Sequence, residues 1–109
     1  MALFAIGDLH GCPDELEVLL HRLGAGADDT LVFLGDYVDR GPRVRALVTR
    51  LIRLRAEAPR TVFLRGNHED MLLAYLGHPG RYASAYLANG GAATLASYHV
   101  PREIGRAHV

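Results

Sequence analysis

The chain has 109 residues with 12 basic against 12 acidic side chains, so it carries no formal net charge; this length fits one domain and excludes a multidomain arrangement. With 50% hydrophobic and 22% charged residues it is globular rather than disordered, and a chain of this size buries roughly two thirds of its unfolded surface on folding. The single cysteine, Cys12, excludes a disulfide framework, and the opening apolar run reaches Gly7-Asp8 too early for a signal peptide or membrane span. The expectation is a soluble, cytoplasmic protein.

The first element is the apolar run Leu3-Phe4-Ala5-Ile6, predicted as a strand that enters a glycine turn. Pro13 to Leu23 follows, where Leu16, Leu19, Leu20 and Leu23 repeat at i, i+3, i+4, i+7 and predict an amphipathic helix. Pro13, the acids at 14 and 15, and Gly24 supply its start and stop signals. Leu31-Val32-Phe33-Leu34 predicts the second strand. The second helix begins near Gly41-Pro42, places Val44, Leu47, Val48 and Leu51 on one face, and stops before Pro59. Thr61-Val62-Phe63-Leu64 is the third strand, and a third helix is expected from about His68 to Leu76, ending near Gly77. Short continuous apolar runs of this kind read as strands buried on both faces. The order β-α-β-α-β-α implies right-handed crossovers and a parallel sheet in an α/β fold. Residues 82–98 are expected to hold one or two short helices broken at Asn89-Gly90-Gly91, and residues 99–109 show no periodicity.

Charge is distributed unevenly behind the zero sum. Residues 1–41 hold eight acids against two arginines, whereas residues 42–65 hold seven arginines against Glu57. An acidic cluster beside a basic one suits metal cations that meet phosphate. The arginines at 43, 45, 50, 53 and 55 fall largely outside the apolar stripe of their helix and read as a solvated face. The complete absence of lysine reads as coding bias, not as a nucleic-acid signature.

All three strands end in the same chemical way: Gly7-Asp8-Leu9-His10-Gly11, Gly35-Asp36-Tyr37-Val38-Asp39-Arg40-Gly41 and Gly66-Asn67-His68-Glu69. The carboxyl ends of parallel strands form the ligand crevice of an open sheet, so these loops are expected to converge. Asp8 and His10 can turn toward one centre, Asp36 has two oxygens with which to bridge two cations, and Asn67 offers a neutral amide oxygen. Mixed imidazole and carboxylate ligation suits Mn, Fe, Zn or similar ions, and two such ions roughly 3.5–4 Å apart would hold a nucleophilic water and stabilise in-line displacement at phosphorus. Arg40 and Arg65, at the edges of their blocks, are candidate phosphate-binding forks. His68, oriented by Asp39, is the candidate general acid for the leaving alkoxide.

The blocks GDLHG, GDYVDRG and GNHE resemble those of the calcineurin-like metallophosphoesterases, in particular the phosphoprotein phosphatase branch with its bacterial Ser/Thr protein phosphatases and diadenosine tetraphosphatases. The resemblance covers roughly residues 3–98, the stretch from Asn89 to Tyr98 included. It implies three βα units of that family's α/β sandwich and phosphoester hydrolysis with two divalent ions, manganese first and Fe, Zn, Ni or Co as alternatives. It gives Asp8, His10, Asp36 and Asn67 to the metals, His68 and Asp39 to catalysis, and Arg40 and Arg65 to phosphate. Substrates are then phosphorylated proteins or small phosphoesters, with no nucleic acid or membrane partner. The family's further metal-ligand histidines and second sheet lie well beyond the third block, whereas this sequence ends at Val109. The expectation is therefore an N-terminal, partial domain over residues 1–109 with an incomplete second metal site, and either a hydrolase or a weakly active metal- and phosphate-binding piece that acts by association. His99 and His108 are not assigned as ligands. His21 and His78 read as solvated or capping residues, Cys12 as a helix-start residue, and Tyr82, Tyr86 and Tyr98 as packing residues. A sheet apolar on both faces and covered on one by these helices would expose the other to self-association.

Overall fold

The computed structural model describes residues 1–101, in which a three-stranded sheet of order β1-β2-β3 is parallel throughout. Strand β1 spans Leu3–Ile6, β2 Thr30–Phe33 and β3 Val62–Phe63; they alternate with helices α1 (Pro13–Leu23), α2 (Val44–Glu57) and α3 (Asn67–Tyr75). The register pairs Leu3 with Thr30, Ile6 with Phe33, and Phe33 with Phe63, so the three strands stop at a common edge. Helix α1 keeps the bounds expected of it. Pro13 occupies the first turn, where its missing N–H has no intrahelical acceptor to miss, and Gly24 closes the helix in the left-handed conformation at φ 57°.

One core lies between the sheet and the first two helices. Ile6, Leu31 and Phe33 from the strands meet Leu16 of α1 and Leu47, Leu51 and Leu54 of α2. Phe33 stacks on Phe63 with ring centroids 5.1 Å apart. The opposite sheet face contradicts the reading of strands buried on both sides. Leu3 is 68% exposed, Leu34 48%, Val62 43% and Leu64 45%. These side chains alternate with the buried ones at the strand period of two, so the runs are continuous in apolarity but half-covered in space. Both covering helices pack on one face only.

Beyond α3 the chain makes two short 3₁₀ turns, Ala83–Ala85 and Leu87–Asn89, and one helix, α4 (Gly91–Ser97). A second small core joins Met71 and Tyr75 of α3 to Tyr86 and Leu95. Among the tyrosines expected to pack, Tyr86 is fully buried, whereas Tyr82 is 67% exposed. Tyr98 lies beneath the Arg45 guanidinium, 5.8 Å from its ring centroid. Arg43, Arg50 and Arg53 pair with Asp14, Glu17 and Glu57, so that part of the arginine face of α2 is met by carboxylates, two of them from α1. His21 lies in the last turn of α1, where positive charge suits the helix dipole. No helix among the described residues is long and apolar enough to cross a membrane. His108 lies outside the described residues.

Candidate functional site

The loops after β1, β2 and β3 meet as expected, and backbone hydrogen bonds hold them together. The Leu9 and His10 amides donate to the Asp36 carbonyl at 3.1 and 3.0 Å, and the Gly11 amide donates to Tyr37 O at 3.0 Å. The third loop is tied in by the His68 amide, which donates to Asp36 Oδ1 at 2.9 Å. Close approach here demands glycine. A Cβ on Gly35 or Gly66 would collide with the facing loop, the former against Gly66 and Arg65, the latter against Asp36. Gly35 also sits at φ 113°, a conformation open to glycine alone at little cost.

Four residues of the centre have left-handed backbones: His10 (φ 38°), Asp36 (59°), Asp39 (75°) and Arg40 (67°). This conformation costs a residue bearing a Cβ roughly 1–2 kcal/mol, and it aims these side chains where an extended chain would not. Asp8, His10 and Asp36 each present one ligand atom, all within 4.8 Å of one another. His10 Nδ1 lies 2.8 Å from the Val38 carbonyl, which assigns the ring proton to Nδ1. Its Nε2 is buried, without a hydrogen-bond partner among the described residues, and 3.6 Å from Asp8 Oδ2. An inward-facing imidazole lone pair beside two carboxylates is a donor set for a divalent cation. Asn67 stands against the same group: with its amide nitrogen turned inward it donates to both Asp36 oxygens, at 3.0 and 3.1 Å. Turned the other way, its oxygen faces that carboxylate, an arrangement that a shared cation reconciles.

His68 lies beside this cluster, its ring edge-on to His10 with centroids 4.6 Å apart. Both His68 and Asp39 are buried, and His68 Nδ1 is 2.8 Å from Asp39 Oδ2. The expected pair is therefore in place. Arg40 is exposed, and its guanidinium makes no ion pair among the described residues. Arg65, the other candidate phosphate-binding fork, pairs with Asp70 and donates to the Pro79 carbonyl at 3.0 Å. His99 lines a groove with Arg43, Arg45 and Ser97, between α2 and α4, and is not among the clustered ligand atoms of Asp8, His10 and Asp36.

Two sets of functional contacts escaped the sequence reading. Glu69 caps α3 by accepting the Gly66 amide at 2.8 Å, and it also accepts the amides of Asp36, Tyr37 and Val38 at 2.6, 2.8 and 3.3 Å. One carboxylate thus organises the loop that carries Asp36 and Asp39. Replacing Glu69 with alanine leaves these part-buried donors unmatched, and is expected to destabilise the fold by about 2–3 kcal/mol; thermal unfolding reads the loss, and a wild-type midpoint would refute the role. Glu69→Gln, which keeps one carbonyl oxygen, should lose less. Next to Glu69, burial pushes the Tyr37 hydroxyl up to about 12, with the Glu69 charge adding to the shift. It therefore remains a donor, to Leu64 O at 2.6 Å, and pins the second loop to the end of β3. The other set is Tyr86 and Thr94, whose hydroxyls reach Asp39. Cys12 precedes α1 as expected, and burial pushes its thiol up, which disfavours a reactive thiolate.

Three parallel strands bring carboxylates, imidazoles and an amide to one sheet edge of an α/β scaffold, where Asp8, His10 and Asp36 form a donor set for a divalent cation. The chain belongs to the calcineurin-like phosphoesterases, whose family description matches residues 1–103. It is 46% identical over 69 residues to the serine/threonine-protein phosphatase rdgC of Drosophila melanogaster, an overlap covering 62% of this chain and 10% of that protein. It is 45% identical over 75 residues to the symmetrical bis(5'-nucleosyl)-tetraphosphatase of Acidovorax ebreus (strain TPSY), covering 68% of this chain and 26% of the relative. The asymmetrical bis(5'-nucleosyl)-tetraphosphatase PrpE of Bacillus velezensis is 38% identical over 89 residues, covering 72% and 35%. The chain thus spans about a third or less of the length of these curated relatives.

Proposed function

We propose that this chain carries part of a metal-dependent phosphoester hydrolase of the phosphoprotein (Ser/Thr) phosphatase type. The observation that carries the reading is the convergence of Asp8, His10 and Asp36 within 4.8 Å, with the His68–Asp39 pair in ring contact beside them. Asp8, His10 and Asp36 would hold a first divalent ion, and Asp36 with Asn67 would contribute to a second; manganese is our choice among the ions this donor set accepts. When bound, the ions supply Lewis-acid stabilisation of the phosphoryl oxygens and activation of water. Arg40 binds the phosphoryl group through its guanidinium, and Arg65 does so on release from Asp70. His68 gives a proton to the leaving oxygen, while Asp39 orients the ring. The setting we assign is the cytoplasm, and the substrate a phosphorylated protein or small phosphoester.

A second reading, hydrolysis of a dinucleoside polyphosphate, draws on the tetraphosphatase relatives. Asp39, Arg40 and Glu69 favour the protein-phosphatase variant of the blocks. The third reading is a weakly active metal- and phosphate-binding piece, since Asn67 and one oxygen of Asp36 form a sparse second site. With Mn²⁺ added, the chain is expected to hydrolyse an aryl phosphate and a phosphoserine peptide in preference to diadenosine tetraphosphate, at rates far below those of a full-length relative. The opposite preference selects the second reading. Retained Mn²⁺ and phosphate binding without turnover selects the third.

A further inference from the structure

Behind the His68–Asp39 pair lies a polar cluster with no role so far. Asp39 is fully buried, yet three side-chain donors surround its carboxylate. His68 Nδ1 lies 2.8 Å from Oδ2, while the Tyr86 and Thr94 hydroxyls both donate to Oδ1 at 2.7 Å. Thr94 Oγ1 in turn accepts the Asp39 amide at 2.8 Å. A threonine hydroxyl has one proton; with the amide hydrogen already pointing at its oxygen, that proton goes to the carboxylate. Burial, with Asp39 adjacent, pushes the Tyr86 hydroxyl far above the ordinary tyrosine range, so it too remains a donor.

The Asn89-Gly90-Gly91 motif explains how these hydroxyls arrive there. Gly90, at φ 97°, accepts the Arg40 amide at 3.0 Å and lies so close that an added Cβ would sit 2.5 Å from Arg40 Cγ. Gly91 rests on the Tyr86 ring, where any side chain would collide. Helix α4 therefore starts in contact with Arg40 and Tyr86, and Thr94 comes round on its first turn to Asp39.

We propose that Tyr86 and Thr94 are positioning residues. By occupying Oδ1 they fix the carboxylate of Asp39 and reserve Oδ2 for the Nδ1–H of His68; the doubly protonated ring then gives its Nε2 proton to the leaving oxygen and is left as the Nδ1–H tautomer. A carboxylate without these two donors can rotate, and its oxygens can seek other partners, which releases the ring from a single tautomer. This inference rests on the reading of His68 as general acid.

The test uses the 109-residue chain with diamagnetic Zn²⁺ added, and reads the His68 ring by long-range proton–nitrogen NMR. The neutral wild-type ring is expected to be the Nδ1–H tautomer alone, the form that remains once the acid has given up its Nε2 proton. Thr94→Val and Tyr86→Phe, which remove only the hydroxyls, are expected to introduce the Nε2–H tautomer, and Thr94→Ser to restore the wild-type pattern. In turnover the same two variants should lower kcat about tenfold, with KM and metal affinity unchanged. Folded Thr94→Val or Tyr86→Phe protein with the wild-type tautomer overturns the proposal. An unchanged kcat in His68→Asn instead removes the general-acid reading, and leaves the tautomer measurement to decide the positioning role on its own.

Discussion

Replacing Asp36 with asparagine is expected to lower Mn²⁺ affinity by at least about 100-fold while leaving the chain folded. Asn is the informative substitution because Asp36 sits at φ 59°, a left-handed conformation that asparagine also tolerates. It also keeps an oxygen able to accept the His68 amide, which Asp36 Oδ1 now does at 2.9 Å. What disappears is the negative charge and the second carboxylate oxygen, and with them the shared ligand of both proposed ions. Supporting groups around a metal are commonly worth 10–100-fold in affinity, so a direct and bridging ligand is expected to exceed that. Calorimetric titration with Mn²⁺ measures it, with circular dichroism to establish that the fold survives. Binding at wild-type affinity would remove Asp36 from the centre, and with it the three-residue cluster on which the functional reading depends.

His68→Asn is expected to do the reverse: metal affinity stays within a few-fold, and kcat falls by about 10²–10⁴, the range for loss of a positioned acid. The separation is physical. His68 touches the His10 ring edge-on, but its hydrogen bond runs away from the cluster, to Asp39. Asp39 keeps the donors Tyr86 and Thr94 after the substitution, so the buried carboxylate is not abandoned and the fold should hold. Steady-state kinetics on an aryl phosphate, together with the same titration, distinguishes the outcomes. Loss of metal binding with turnover limited only by the missing metal would make His68 a ligand and not an acid.

How far the sequence could be read depended on how far apart the interacting residues lie. Helix α1 was legible to the residue because its signals are local: Pro13, the leucine spacing and Gly24 all fall within the element. The three strand-end blocks were legible because parallel topology forces strand ends together, whatever their separation along the chain. Glu69 was not, because three of the amides it accepts come from the loop after β2, 31 to 33 residues earlier. Tyr86 read as a packing residue, and it does pack, but its hydroxyl serves a carboxylate 47 residues away. Apolar runs, finally, report that a strand avoids water and not which layer shields it. Leu3, Leu34, Val62 and Leu64 lie on a face that no described helix covers.

The ties between Asp39 and the 82–98 segment bear on the order in which a nascent chain completes itself. Everything needed for the sheet and its two covering helices is present once residues 1–64 have been made, and most of those contacts join neighbouring elements. Asp39 is different. Its buried carboxylate lies inside that early stretch, whereas two of its donors are Tyr86 and Thr94, the latter 55 residues downstream. Long-range closures of this kind are slow relative to local ones. During synthesis the strands can therefore pair around a carboxylate that still faces water, and the His68–Asp39 pair acquires its dry, fixed setting only when α4 docks.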